Sequence, residues 1–193
     1  PVIKSKQASI GLLFNKNGWL LNTVGFYKQV DGITTQSQGF QDHNEFVQTS
    51  GSYDANGLDV LLRKQLRNNY IWLSYALLNS QYKFTELQEP SFANNFEIKH
   101  SVNVGANYHI GPVVLAAGIN WHTGRPISTP AQESPVIEGE VNYNGTNKSN
   151  LPDYFRVDVS GKYEINKGEH TRWEIGAALW NILNKDNTLN VFY

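Results

Sequence analysis

The sequence predicts an all-β fold, an antiparallel transmembrane β-barrel segment of about eight strands, from three observations. Apolar and polar residues alternate with a period of two along most of the chain, which sends them to opposite faces of a strand. Tight turns and long polar loops succeed one another in regular alternation. The composition is rich in aromatics, at 12%, and poor in charge, at 17%, where ordinary domains carry roughly 25% charged residues.

The first strand sorts Ala8, Ile10, Leu12 and Phe14 from Ser9, Gly11, Leu13 and Asn15. Asn17-Gly18 then turns the chain, since both residues accept positive φ at little steric cost. A strand from Trp19 to Tyr27 follows, and Gln29 to Gly51 reads as a polar loop. The next strand runs from Ala55 to about Leu66, Asn68-Asn69 turns, and Tyr70 to Tyr82 returns. Ile71, Leu73, Tyr75 and Leu77 fall on one of its faces, Tyr70, Trp72, Ser74 and Ala76 on the other. Glu86 to Asn95 is a second loop.

The clearest pair comes next. Val102, Val104, Ala106, Tyr108 and Ile110 alternate with Ser101, Asn103, Gly105, Asn107 and His109. Gly111-Pro112 turns, and Val113, Leu115, Ala117, Ile119 and Trp121 alternate with Val114, Ala116, Gly118, Asn120 and His122. Gly124 to Pro152 is a long loop. Phe155, Val157, Val159, Gly161 and Tyr163 then oppose Arg156, Asp158, Ser160 and Lys162. A turn near Asn166-Lys167-Gly168 leads to a strand from Trp173 to Leu183, and a last piece runs from Leu189 to Tyr193.

Strands of about ten residues suit a tilted crossing of a bilayer. Short turns on one rim and long loops on the other are the asymmetry of outer-membrane barrels. A soluble β-sandwich shows the same alternation of faces, but its strands run nearer five or six residues. Aromatics near strand ends (Trp19, Tyr27, Tyr70, Tyr82, Tyr108, Trp121, Tyr163, Trp173) are expected to form girdles at the membrane interfaces. A mean hydropathy of −0.44 is compatible with this, because barrel strands are apolar only at every second position. No run of about 18 apolar residues offers a transmembrane helix. A net charge of −1 excludes a basic nucleic-acid footprint. The absence of cysteine excludes disulfides and thiol chemistry.

Six segments, in order, carry a resemblance. Gly57-Leu58-Asp59-Val60-Leu61-Leu62-Arg63-Lys64 is similar to a "GLEL-x-L-x-K" strand. Tyr75-Ala76-Leu77-Leu78-Asn79-Ser80 is similar to "SYTLLDS", and His100 opens a strand like an Asp-x-x-His. Trp121-His122-Thr123-Gly124-Arg125-Pro126 resembles "W-x-x-G-R-P". Leu151-Pro152-Asp153-Tyr154-Phe155-Arg156-Val157-Asp158-Val159-Ser160 resembles "LPDYHRLDLS". Leu179-Trp180-Asn181-Ile182-Leu183-Asn184-Lys185 resembles "V-x-NLFN-R". Together they resemble the C-terminal part of the barrel of TonB-dependent outer-membrane receptors, Bacteroidetes type. The resemblance implies about eight strands of a roughly 22-stranded barrel, with the plug and the final strand outside residues 1–193. It implies a transporter, not an enzyme, that imports iron chelates, vitamin B12, oligosaccharides or peptides. Its implied partners are the TonB complex through the plug, the imported ligand, the bilayer and, in some relatives, a surface lipoprotein. No cofactor is implied.

Catalytic and metal-binding constellations are not expected, since His43, His100, His109, His122 and His170 lack metal-site spacing. Four residues are expected to reach ligand at the lumen or outer rim: Arg125, His122, Trp72 and Trp180. Each has a structural alternative. Arg125 tops a strand and either meets an anionic ligand or caps the loop. His109 and His122 on neighbouring strands are equally read as wet lumen residues. Trp72 and Trp180 face inward by alternation, to stack on a ligand or to pack against a plug. Asp59, Arg63, Arg156, Asp158 and Lys162 are read as an interior ladder of charge pairs. The long loops are the expected place for ligand or partner contacts.

Overall fold

The computed structural model describes residues 2–35, 49–87, 89–137, 139–166 and 171–192. His43, His170, Gly39 and most of the turn expected near Asn166-Lys167-Gly168 lie outside the described residues, as does most of the first expected loop.

The elements in chain order are β1 (Lys4–Lys16), β2 (Trp19–Thr34), β3 (Ser50–Leu66), β4 (Asn69–Lys83), β5 (Ser91–Ala93), β6 (His100–Ile110), β7 (Val113–His122), β8 (Pro126–Ile127), β9 (Val136–Ile137), β10 (Glu140–Val141), β11 (Ser149–Asn150), β12 (Tyr154–Asn166) and β13 (Arg172–Leu179). One antiparallel sheet runs β1-β2-β3-β4-β6-β7-β12-β13, with β5 added to the outer end of β4. The path is open: β1 and β13 end it without pairing each other. The sandwich alternative needs two stacked sheets, whereas the long strands here form a single layer.

The register carries a constant stagger. Trp19, at the start of β2, pairs with Lys64, short of the end of β3 at Leu66. Tyr70 pairs with Asn107, short of the end of β6 at Ile110. Val113 pairs with Tyr163, short of the end of β12 at Asn166. Each hairpin therefore steps in the same direction by about two or three residues, or ~7–10 Å, over two strand spacings of ~9.6 Å. That slope corresponds to a strand tilt of ~35–45°, the range of a barrel wall.

The same register sorts the faces. Ala106, Ala117, Val159 and Leu179 are successive partners on the apolar face. Ile10, Leu12, Leu73, Leu115, Ile119 and Ile175 share that face and are all exposed, as a lipid-facing surface requires. On β2 the apolar face runs from Trp19 to Tyr27 and on β12 from Phe155 to Tyr163. Each stretch is about nine residues, the length a tilted strand needs to cross. Trp19, Tyr27, Tyr108, Trp121, Tyr163 and Trp173 fit the expected girdles, Phe155 joins them, and Val113 takes the lower end of β7. Tyr70 and Tyr82 do not fit. Both lie on the opposite, polar face, because each pairs with a residue of that face, Tyr70 with Asn107 and Tyr82 with Tyr53.

Other boundaries also shift. β2 continues to Thr34 and β3 begins at Ser50, so part of the stretch from Gln29 to Gly51 is strand. The tight turn after β3 is Arg67-Asn68, one residue earlier than expected, with Arg67 at a φ of 54°. The loop from Glu86 to Asn95 holds β5, and the loop from Gly124 to Pro152 folds into β8 to β11. β13 ends at Leu179 rather than Leu183.

The one sizeable buried apolar cluster among the described residues sits on the polar face above the membrane band. Ile33, Tyr82, Phe84 and Phe92 form it, with Val30, Tyr53 and Leu87 packed against them. Its rings lie 5.1–6.3 Å apart, tilted or stacked. This cluster fastens β5 and its loop to the projecting ends of β2, β3 and β4.

Candidate functional site

The polar face of β4, β6, β7 and β12 is the part of the wall that presents chemistry. Its rows follow from the register. Ser101, His122 and Tyr154 are partners at the outer end. Asn103, Asn120 and Arg156 form the next row, and Trp72, Gly105, Gly118 and Asp158 the row below. Nearest the tight turns come Tyr70, His109, Val114 and Lys162.

Within these rows the polar groups hold one another. Asn120 Nδ2 donates to Asn103 Oδ1 across the strands. Arg156 donates from Nε at 3.0 Å and pairs through its terminal nitrogen at 2.9 Å, both to Asp158 Oδ2. The His122 ring stacks on Tyr154 at 4.8 Å with the planes 3° apart. His122 Nδ1 lies 2.9 Å from the Thr123 carbonyl and must donate there. The Trp72 indole lies against Gly105, where a Cβ would sit 2.5 Å from Nε1. Gly118, next in that row, is bare: a Cβ there would meet nothing closer than 3.8 Å.

The expected residues are thus only partly brought together. Trp72 and His122 share this face, two rows apart. Arg125 stands at the rim and donates to the Leu189 carbonyl at 3.1 Å and to Asn190 Oδ1 at 3.0 Å. Trp180 lies beyond the end of β13 and is 74% exposed. His109 and His122 face the same way but sit at opposite ends of the wall, His109 opposite Val114 and His122 opposite Ser101. The expected charge ladder separates into Arg156–Asp158 and Lys162 with Glu164 and Glu174. Asp59 and Arg63 form no ion pair with either among the described residues.

Alternation does not show how five of the six segments meet. Tyr75 Oη lies 2.9 Å from His100 Nδ1. The His100 backbone exchanges with Thr123, its N–H donating to Thr123 Oγ1 at 3.1 Å. Asp153 Oδ1 accepts the Gly124 N–H at 3.1 Å. A Cβ on Gly124 would collide with the Leu151 carbonyl, so only glycine fits that crossing. Asp158 Oδ1 accepts the Asn181 N–H at 2.8 Å. The Asn187 amide accepts from Phe155 N–H and donates to Phe155 carbonyl, at 2.9 and 3.1 Å. A side chain there does what a neighbouring strand would do. Five of the six segments are therefore joints of the outer rim, where side chain is tied to backbone, while the segment from Gly57 to Lys64 runs to the opposite rim, where Lys64 Nζ donates to the Asn17 carbonyl at 2.9 Å.

Among curated proteins and among solved structures, no match is found. A family model described as TonB dependent receptor-like, beta-barrel, matches residues 3–182. That match takes in all eight long strands and the joints from Tyr75 to Asn181. An open, staggered, single-layer wall with one lipid face is the geometry such a barrel domain requires, and the chain belongs to the TonB-dependent receptor-like β-barrel family.

Proposed function

We propose that this chain is a wall section of an outer-membrane active transporter that imports a bulky, scarce ligand with energy delivered through TonB. Receptors of this family are transport proteins of the outer membrane rather than enzymes, and they engage TonB and a ligand. The observation that carries the reading is the family match over residues 3–182, laid on a sheet whose register separates a lipid face from a polar one. Two unpaired edges support placing residues 1–193 in a larger barrel, with plug and final strand supplied elsewhere in the receptor. Siderophores, vitamin B12, oligosaccharides and peptides are the ligand classes in question. Trp72 and His122 supply ligand-facing surface in this reading. Arg125, bonded to Leu189 and Asn190, stiffens the rim.

The test is made in the native cell. The full-length protein is expected in the outer-membrane fraction, and growth on its ligand is expected to require both it and TonB. A soluble fraction, or uptake indifferent to loss of TonB, overturns the proposal.

A further inference from the structure

We infer that the short-turn end of β1, β2 and β3, on the side that faces lipid, is a binding site for the headgroup of an anionic phospholipid. The inference rests on the reading above for its outer-membrane placement and is independent of the ligand imported.

Trp19 pairs with Lys16 on one side and with Lys64 on the other. Cross-strand partners point to one face of a sheet, so both lysines lie on the lipid face with Trp19, a girdle residue. One row further into the band, Phe14, Leu21, Leu62 and Leu73 are successive partners. An apolar track therefore ends on an indole flanked by two ammonium groups. The short turns of such a barrel lie on the periplasmic rim, where the adjoining leaflet is phospholipid.

The charge here is one-sided. Lys16, Arg63, Lys64 and Arg67 lie on these hairpin ends, and residues 14–23 and 60–73 hold no Asp or Glu. None of the four forms an ion pair among the described residues. Arg63 stands on the polar face, opposite Leu20 and Trp72, and adds to the field from behind the sheet. Asp59 shares that polar face but lies higher on β3, and Glu164 and Glu174 are held by Lys162. The outer end of the lipid-facing side is different. There Lys4, Lys6 and Lys83 are offset by Asp31 and Asp54, and Lys83 pairs with Asp54 at 2.7 Å. An excess of positive charge at headgroup level attracts phosphate.

The site is also ordered. Lys64 Nζ donates to the Asn17 carbonyl at 2.9 Å and stands 4.7 Å from the centroid of the Trp19 ring. The ammonium is thus turned back along the sheet instead of reaching into water, and it keeps N–H groups for a phosphate oxygen. The Gln65 N–H donates to the Gly18 carbonyl at 2.8 Å, which locks the two turns together. Lys16 is exposed. It stands two strand spacings from Lys64, or ~9.6 Å, a gap that two long side chains can close around one phosphodiester. An acidic protein is the poorer partner, because the lysines flank lipid-facing side chains and the two-residue turns project little beyond them.

The experiment is native mass spectrometry of the delipidated full-length receptor. The probes are palmitoyl-oleoyl phosphatidylglycerol, the matching phosphatidylcholine, and inorganic phosphate. The first phosphatidylglycerol should bind about tenfold more tightly than the first phosphatidylcholine, and inorganic phosphate should not displace it. Lys16→Gln with Lys64→Gln should erase the preference. Lys16→Arg with Lys64→Arg should keep it, and Lys83→Gln at the outer end should leave it unchanged. Heat-modifiable migration checks that each variant folds. The inference is overturned if the two lipids bind alike, if the glutamine pair keeps the preference, if the arginine pair or Lys83→Gln loses it, or if inorganic phosphate displaces the lipid. A receptor that transports but shows no lipid preference sinks this inference alone. A soluble full-length protein sinks the transport reading.

Discussion

The carboxylate of Glu97 accepts both the backbone N–H and the hydroxyl of Ser80. Below this point β4 pairs with β6, and above it with β5. Ser80 pairs with Ala55 on its β3 side, but on the other side the chain detours through residues 94–99, leaving the Ser80 N–H without a strand acceptor. Glu97 fills that gap in the ladder, and both residues are buried, at 7% and 3% exposure. Glu97→Ala should therefore cost about 2–3 kcal/mol, since a buried donor loses a charged acceptor. Glu97→Gln, which keeps an acceptor, should lose about half as much. Denaturant unfolding of the full-length receptor in detergent reads the difference, and equal losses would show that side-chain volume matters rather than the hydrogen bond.

Gly124 should tolerate nothing larger. Its crossing with Leu151 leaves no space for a Cβ, and the Asp153 bond to its N–H fixes the approach. Gly124→Ala is expected to lower the apparent Tm by several degrees and to admit protease to the rim near Pro152. A melting curve that overlays wild type would disprove it.

Arg67 holds positive φ at a tight turn where glycine or asparagine is favoured. Arg67→Gly should stabilise the barrel by about 1 kcal/mol by relieving that conformation. The gain should appear in the unfolding midpoint with an unchanged slope.

The outer loops are tied by Glu89, which pairs with Lys148 and accepts the Thr146 N–H at 2.7 Å. Asn147 Nδ2 adds a bond to the Ala93 carbonyl at 2.8 Å. The Lys148 ammonium, then the Thr146 N–H, hold the Glu89 carboxyl below the usual carboxylate range. A depressed value in the folded state means the tie is fully present above the unfolded value of ~4.3 and is lost as pH falls through the folded one. Spin labels at Thr85 and Gln132 should report a longer or broader distance on acidification below about pH 4, and Glu89→Gln should show that behaviour already at pH 7. The pair is surface-exposed, so overall stability should change by less than about 1 kcal/mol.

The face assignment has its own test. Labels at Val104, Ala117 and Val159 should collide with oxygen in the bilayer. Labels at Asn103, Ala116 and Ser160, one residue away, should collide with a water-soluble nickel chelate instead. Loss of this alternation would refute the register.

Where the bilayer imposes a period of two, the sequence is readable, and Val102 to Trp121 fell into place residue by residue. Above the membrane both faces of a strand are wet. Apart from Val30 and Tyr53, Lys28 to Asp31 and Ser50 to Asp54 carry no apolar side chain, so strand and loop look alike in sequence, although they pair in register. Trp180 marks where alternation stops being a guide, since β13 ends at Leu179. Alternation assumes an unbroken strand, and Asn181, with a φ of 53°, ends it. Tyr82 carried a girdle residue's identity but lies on the polar face, where Phe84 and Phe92 bury it. For the candidate site, Trp72 and His122 were legible from alternation. Their setting was not, because the bare floor at Gly118 exists only once β4, β6, β7 and β12 are aligned. The joints at Gly124 and Asp153 were visible as motif letters, but a contact across an intervening loop leaves no periodic trace.

The constant step from each hairpin to the next makes the wall a screw rather than a cylinder of upright staves. Every hairpin then sees nearly the same neighbours after one turn and one rise. Such a unit can be copied or deleted without redesigning its edges, so the circumference of the pore is adjustable in whole hairpins. A slip by a single residue is forbidden, because it would turn Ala117 inward and Asn120 out to the lipid. The lattice is thus permissive in number and strict in phase.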